Sequence, residues 1–415
     1  MVSRIVSSPG TFPVHFRVLA IASLIALAGC PQPEPPGEAP SGVAVAPGDG
    51  RVTVTWNQEP DLTYWIFFQV GSSVSPTTSG AAIIRDAVSP RIILNLANGI
   101  PYAFVMNASK GDSAAGPASP VVVATPRLAG VNWSSGAALG AANLNGMAFN
   151  GIRFVAVGDM GTVFAGIHSY TSIDPPGVTA WTPPTSFPPG FTSNLSAVTY
   201  TGQFVALSTD GSILTSSDGL TWTLATNAVP GVGMNAIAFG AGLHVATGNG
   251  GNIFTSPDLV TWAQATSNTV NDLYSVSFSI DGFVATGANG TLLTSPDGVT
   301  WTVRVSNTAS ALRGAAFSAL TAVRYVAVGD AGAIVTSADG IVWNLVTPPP
   351  LAQNLSGIVF GSRFVAVGQG GAVAFSDDGT NWTLTSAGSA NLTRVLFAPA
   401  MYLAVGAAGA NVASK

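Results

Sequence analysis

This 415-residue chain has one cysteine, three histidines and only 8% charged residues. A single cysteine excludes an internal disulfide framework and a thiolate-rich metal centre. Glutamate is scarce, with none after Glu59. Glutamate and lysine are the common surface residues of helices, so their scarcity beside 48 glycines argues for short strands joined by tight turns. There is no basic run and the net charge is −5, which excludes the positive footprint that a nucleic-acid partner needs. No apolar run has membrane length either. The stretch from Val18 to Ala28 covers 11 residues, too few to cross a bilayer.

That stretch has the form of a secretory signal. Arg4 and Arg17 precede it, and it ends Leu27-Ala28-Gly29-Cys30. These last four residues resemble the lipobox of bacterial lipoproteins. The resemblance implies removal of residues 1–29 and acylation of Cys30, leaving no free thiol. Each buried methylene of an acyl chain adds about 0.8 kcal/mol, so several chains anchor a protein stably. It also implies a lipid-anchored life in a bacterial cell envelope. Pro31 stands where an inner-membrane retention signal would have aspartate, which points to the outer membrane. Residues 30–40 are proline-rich and are expected to form an extended tether.

Between 41 and 126 apolar and polar residues alternate. VAVAPGDGRVTVTW (43–56) predicts two strands around a Pro-Gly-Asp-Gly turn, YWIFF (64–68) a third, and LNLANGIPYAFV (94–105) a further strand with an internal Asn-Gly turn. With Trp56, Tyr64, Leu96, Gly99 and Tyr102 so placed, the segment resembles a fibronectin type III module. The resemblance implies a β-sandwich in which the Tyr102 hydroxyl bonds back to nearby backbone. Lys110-Gly111-Asp112 reads as a solvated turn.

From 127 to 415 a repeat takes over. Trp133, Trp181, Trp222, Trp262, Trp301, Trp343 and Trp382 are separated by 48, 41, 40, 39, 42 and 39 residues. A period near forty built of short strands indicates the blades of a β-propeller. Seven apolar first strands recur, from NLNGMAF (143–149) to NLTRVLF (391–397), but out of phase with the tryptophans: Trp133 precedes the first complete unit and the last unit has none. The offset predicts a seven-bladed ring closed by strand exchange, with 131–135 lying beside 409–415. The whole chain is therefore expected to be all-β, a sandwich followed by a propeller.

Two turns recur within the repeat. One reads TSSDGLTW (215–222), TSPDLVTW (255–262), TSPDGVTW (294–301), TSADGIVW (336–343) and FSDDGTNW (375–382), with a stretched copy at Ser172, Asp174, Gly177 and Trp181. These resemble the Asp-box, or BNR, repeat of the sialidase-like superfamily. Leu259 departs from it by standing where glycine is the rule. The aspartate is expected to accept turn N–H groups, the glycine to take a positive φ, and the tryptophan to pack between blades. One carboxylate per turn is too few for calcium. The other turn, from GDMG (158–161) to GAAG (406–409), lies between strands, so a phosphate cradle is excluded and tight hairpins are expected.

Chemistry can be argued by elimination. Of the 12 aspartates after Val131, six stand in the Asp-box turns and three (Asp159, Asp210, Asp330) in the glycine turns. The others are Asp272, Asp281 and Asp377, and none suggests an acid–base pair. No enzyme, cofactor or metal is therefore expected. The candidate site is a polar ring without symmetry at matched first-strand positions: Asn145, Ser196, Asn235, Tyr274, Arg313, Ser356 and Thr393, with Arg394 where the other copies have a small residue. Tyr274, Arg313 and Arg394 are the candidate ligand-binding residues, suited to an anionic or sugar-like ligand. The functional expectation is a lipid-anchored binding or scaffold protein whose ligand is a protein or glycan. The alternatives are a divergent sialidase-like glycan hydrolase and an assembly factor for a membrane complex.

Overall fold

The computed structural model describes residues 34–168, 178–225, 229, 233–398 and 401–414. The signal segment with Cys30, and Ser172, Asp174 and Gly177 of the stretched turn, lie outside the described residues. The described residues form nine sheets of three or four strands.

Two of these sheets make the N-terminal sandwich. Ala44–Gly48, Arg51–Thr55 and Arg91–Ile93 form one; Ala82–Ala87, Leu62–Val70, Tyr102–Lys110 and Val122–Ala124 form the other. Alternation along the strands sends Val52, Val54, Ile66, Phe104 and Met106 into a shared core with Trp56 and Tyr64, whose rings are 5.5 Å apart. The Tyr102 hydroxyl accepts a hydrogen bond from the Ala97 amide at 3.1 Å. The strand expected over 94–105 is displaced. It begins at Tyr102 and runs to Lys110, because Asn95 and Gly99 take positive φ and bend the chain before it.

The other seven sheets are blades, each of four antiparallel strands. Their first strands are Leu144–Phe149, Leu195–Tyr200, Met234–Gly240, Leu273–Ser279, Leu312–Phe317, Leu355–Phe360 and Leu392–Ala398, which define blades one to seven. Each first strand packs against that of the next blade, and the seventh packs against the first. The chain thus forms a β-propeller. Second strands are almost wholly buried, as a strand covered on both faces must be. In blade seven the strand Asn411–Ser414 pairs with Ser134–Ser135, through Val412 with Ser135 and Ala413 with Ser134.

Each tryptophan packs across a blade boundary. Trp222 of blade two meets Val155 and Val157 of blade one, and Trp343 of blade five meets Val284 and Leu292 of blade four. Trp181 reaches back to Met401 and Leu403 of blade seven, and Trp133 to Val365 and Val367 of blade six. The aspartate turns hold these rings in place. In blade two Asp218 Oδ1 accepts from the Leu220 and Thr221 amides at 2.8 and 2.7 Å, and Gly219 N–H donates to Ser216 Oγ. The Trp222 indole N–H then closes on the Gly219 carbonyl at 3.1 Å. Four further turns repeat this aspartate geometry around Asp258, Asp297, Asp339 and Asp378. At Leu259 the backbone still takes φ 63°, and Trp262 is left with no acceptor for its indole N–H among the described residues.

Candidate functional site

The glycine turns form the rim of the site, and they are not simple hairpins. Six are single 3-10 turns whose third residue adopts a left-handed conformation, as at Met160, Ala331 and Ala408. That residue's N–H points to the next blade, where the side chain just before the first strand receives it. Asn194 accepts from Met160, Asp272 from Gly250, Asn354 from Ala331 and Asn391 from Gly370. Asn143 accepts from Ala408 at 3.2 Å and joins blade seven to blade one. Glycine is required at the fourth position: a Cβ on Gly332 would lie 1.9 Å from the Leu351 carbonyl oxygen.

Inside this rim, at the centre of the ring, lies a cavity of about 550 Å³. All seven matched first-strand positions line it, as does Arg394, so the structure brings Tyr274, Arg313 and Arg394 to one place. Several ring members also join blades. The Asn145 amide donates to the Leu195 carbonyl at 3.1 Å and Asn235 to that of Leu273 at 2.9 Å. Thr393 Oγ1 donates to the Leu144 carbonyl across the boundary between blades seven and one.

The two arginines differ in state. Arg313 makes a bidentate ion pair with Asp330, with Nε–Oδ1 at 2.5 Å and Nη2–Oδ2 at 2.8 Å, and its guanidinium lies 5.2 Å from the Tyr274 ring centroid. Asp330 thus neutralises Arg313 from within its own blade. Its bonds to Asp330 raise the Arg313 pKa above the ordinary arginine value. Arg394 is partly buried, and its Nη1 donates only to the Ser356 and Thr393 carbonyls, at 3.2 and 3.0 Å. Burial and then the Arg313 charge lower its pKa from the ordinary value. A guanidinium nevertheless stays protonated at neutral pH, so Arg394 carries a positive charge that no carboxylate offsets among the described residues, in surroundings where an incoming anion would be held strongly.

One carboxylate, Asp159, lines the cavity, and Asn145 and Asn143 donate to its two oxygens at 2.8 and 2.9 Å. The three aspartates outside the recurrent turns also have partners. Asp281 pairs with Arg324, Asp377 pairs with Arg363, and Asp272 receives the Gly250 amide. His244, in the second strand of blade three, is buried between Thr201 Oγ1 and the Ser256 carbonyl, each at 3.3 Å. Among the described residues no three of His, Cys, Asp and Glu converge as metal ligands would.

Among solved structures, the chain is similar to YCF48 bound to D1 peptide, with 19% identity, a TM-score of 0.55, and coverage of 68% of this chain and 96% of that one. YCF48 from Cyanidioschyzon merolae gives 18%, 0.53, 68% and 98%, and the WD40 β-propeller domain of Doa1 gives 13%, 0.52, 69% and 97%. The shared fold is the β-propeller. At these identities the likeness establishes the fold. No family model and no curated protein matches the sequence.

Proposed function

We propose that this chain is a non-catalytic binding and scaffold protein of a bacterial cell envelope. In this reading lipid on Cys30 anchors it to the outer membrane, and a fibronectin type III-like sandwich acts as the spacer. Its seven-bladed ring, closed by strand exchange, presents the cavity of Tyr274, Arg313 and Arg394 to an anionic group of a protein partner. The observation that carries the reading is Arg394, a cation in a polar cavity whose hydrogen bonds among the described residues go only to carbonyl oxygens. The Tyr102 hydroxyl bond and the two N-terminal sheets support the fibronectin-like assignment. The pairing of Ser134–Ser135 with Asn411–Ser414 supports closure by exchange, and the repeated bonds to Asp218 and its counterparts support the Asp-box likeness.

A protein partner is favoured over a free sugar because a similar propeller, YCF48, has been solved with a D1 peptide bound. A glycan hydrolase would need two carboxylates flanking its bond, and the described cavity offers Asp159 alone, held by two amides. Crosslinked recovery from cells carrying the anchored protein tests the proposal. A defined set of envelope proteins is the expected catch, and a membrane complex caught part-built would make the protein an assembly factor. Hydrolysis of model glycosides by the purified chain would overturn the non-catalytic reading.

A further inference from the structure

In a repeat protein, residues common to every copy serve the fold. Where several departures from the repeat meet at one boundary, they are free to serve something else. Such a meeting occurs between blades four and five, at the strand ends opposite the central cavity. A cleft of about 260 Å³ opens there, lined by Asp281, Pro296, Arg304, Tyr325, Asp339 and Ile341 among others. Four of its features break the repeat.

Arg304, in the outer strand of blade four, stands where blades two, three, five and six have Ala225, Ala265, Val346 and Thr385. Its Nε donates to Thr294 Oγ1 at 2.8 Å, and its two terminal nitrogens have no partner among the described residues. Asp339 belongs to the aspartate turn of blade five. In the other described copies Thr221, Thr261, Thr300 or Asn381 donates to the second carboxylate oxygen, but here Val342 takes that place and leaves Asp339 Oδ2 without a donor among the described residues. Tyr325 replaces the phenylalanine of blades one, two, four and six, and its hydroxyl donates to Asp281 Oδ2 at 2.6 Å. Asp281 also meets Arg324 through Oδ2, so its Oδ1 is unoccupied among the described residues.

The cleft thus has a guanidinium fork, two carboxylate oxygens without donors, and an apolar border at Pro296 and Ile341. With the Arg324 charge beside Asp281, these groups balance, so a simple anion or cation matches only half of them. We propose that the cleft is a second binding site for a small zwitterion of the α-amino acid class. Arg304 takes the carboxylate, Asp339 and Asp281 take the ammonium, and an apolar side chain lies along Pro296 and Ile341. Drug-sized ligands occupy pockets of roughly 300–1,000 Å³, so a cleft just below that range suits a single amino acid.

Titration calorimetry on the full chain tests this with L-leucine and L-phenylalanine, and with leucinamide and N-acetyl-leucine, each lacking one charge. At least one amino acid is expected to bind at or below about 10 mM, the weak range that a few polar contacts support. Each blocked form should bind at least about tenfold more weakly, because a charge-assisted bond is then lost inside a partly closed site. Arg304→Met and Asp339→Asn should produce the same loss. No binding of either amino acid, equal binding of the blocked forms, or indifference to both substitutions would overturn the assignment. Should Arg304→Met fail to fold, Asp339→Asn and the blocked ligands still decide it.

Discussion

The Gly130 amide donates to Ser414 Oγ at 2.8 Å, across 284 residues of chain. The same bond closes a single turn elsewhere, from Gly219 to Ser216, Gly298 to Ser295, Gly340 to Ser337 and Gly379 to Ser376. Three residues on, the Trp133 indole N–H reaches the Gly130 carbonyl at 3.0 Å, as Trp222 reaches Gly219. A seventh tryptophan turn is therefore assembled from the two ends of the propeller, with serine from one and glycine and tryptophan from the other. Ala129 stands where the other copies have aspartate, so the split turn relies on this bond more than they do.

Ser414→Ala leaves the buried Gly130 amide without an acceptor, and a stability loss of about 1–3 kcal/mol is expected. The same change at Ser216 is expected to cost less, because the carboxylate of Asp218 still organises that turn. Denaturant melts of the two variants compare them directly, and equal losses would count against a special role for the split turn.

Leu259 sets two effects against each other. Replacing it with glycine relieves a left-handed non-glycine residue, worth about 1–2 kcal/mol. It also removes a buried leucine from a cluster with Val205, Phe254 and Trp262, and burial of such a side chain contributes roughly 1.5–3 kcal/mol. Glycine adds a backbone entropy cost of about 0.5–1 kcal/mol. Burial should prevail, giving Leu259→Gly a net loss of about 1–2 kcal/mol in a thermal or denaturant melt. A clear gain in stability would show that strain dominates.

Two pH windows follow from the polar turns and from His244. Turn N–H bonds, first those of Thr261 and Asn381, hold Asp258 and Asp378 at about 2, below the ordinary 3.8. The stability from a depressed carboxylate is present above 3.8 and lost as pH falls toward 2. His244 is depressed from 6.5 chiefly by burial, so the folded state holds it neutral. That contribution is complete above 6.5 and declines as pH falls below it. Stability measured against pH should therefore fall in two stages, and His244→Phe, the residue of four sister blades, should remove the upper one. An unchanged upper stage in that variant would refute the assignment to His244.

Much of this was legible in the sequence because the repeat reports its own registration. The spacing of the tryptophans matches the seven four-stranded blades, and their phase put 131–135 beside 409–415, where Ser134–Ser135 pairs with Asn411–Ser414. The matched first-strand positions gave the cavity lining, since equivalent positions in a ring face the same axis. Pairings across the repeat were not legible. Asn143, Asn194, Asn354 and Asn391 look like strand-start residues until their bonds to the preceding blade are seen. The Arg313–Asp330 pair was hidden for a similar reason. Its partners lie in a strand and a glycine turn 17 residues apart, and only the fold brings the turn over the strand.

That pair makes Arg394, rather than Arg313, the residue on which recognition should turn. The most direct measurement is the affinity of the purified full chain for a partner recovered by crosslinking, compared between the natural chain and Arg394→Ala. Loss of a charge-assisted contact in a partly buried cavity predicts affinity weaker by at least about tenfold, with a smaller change for Arg313→Ala. Equal affinity of Arg394→Ala and the natural chain would contradict the account.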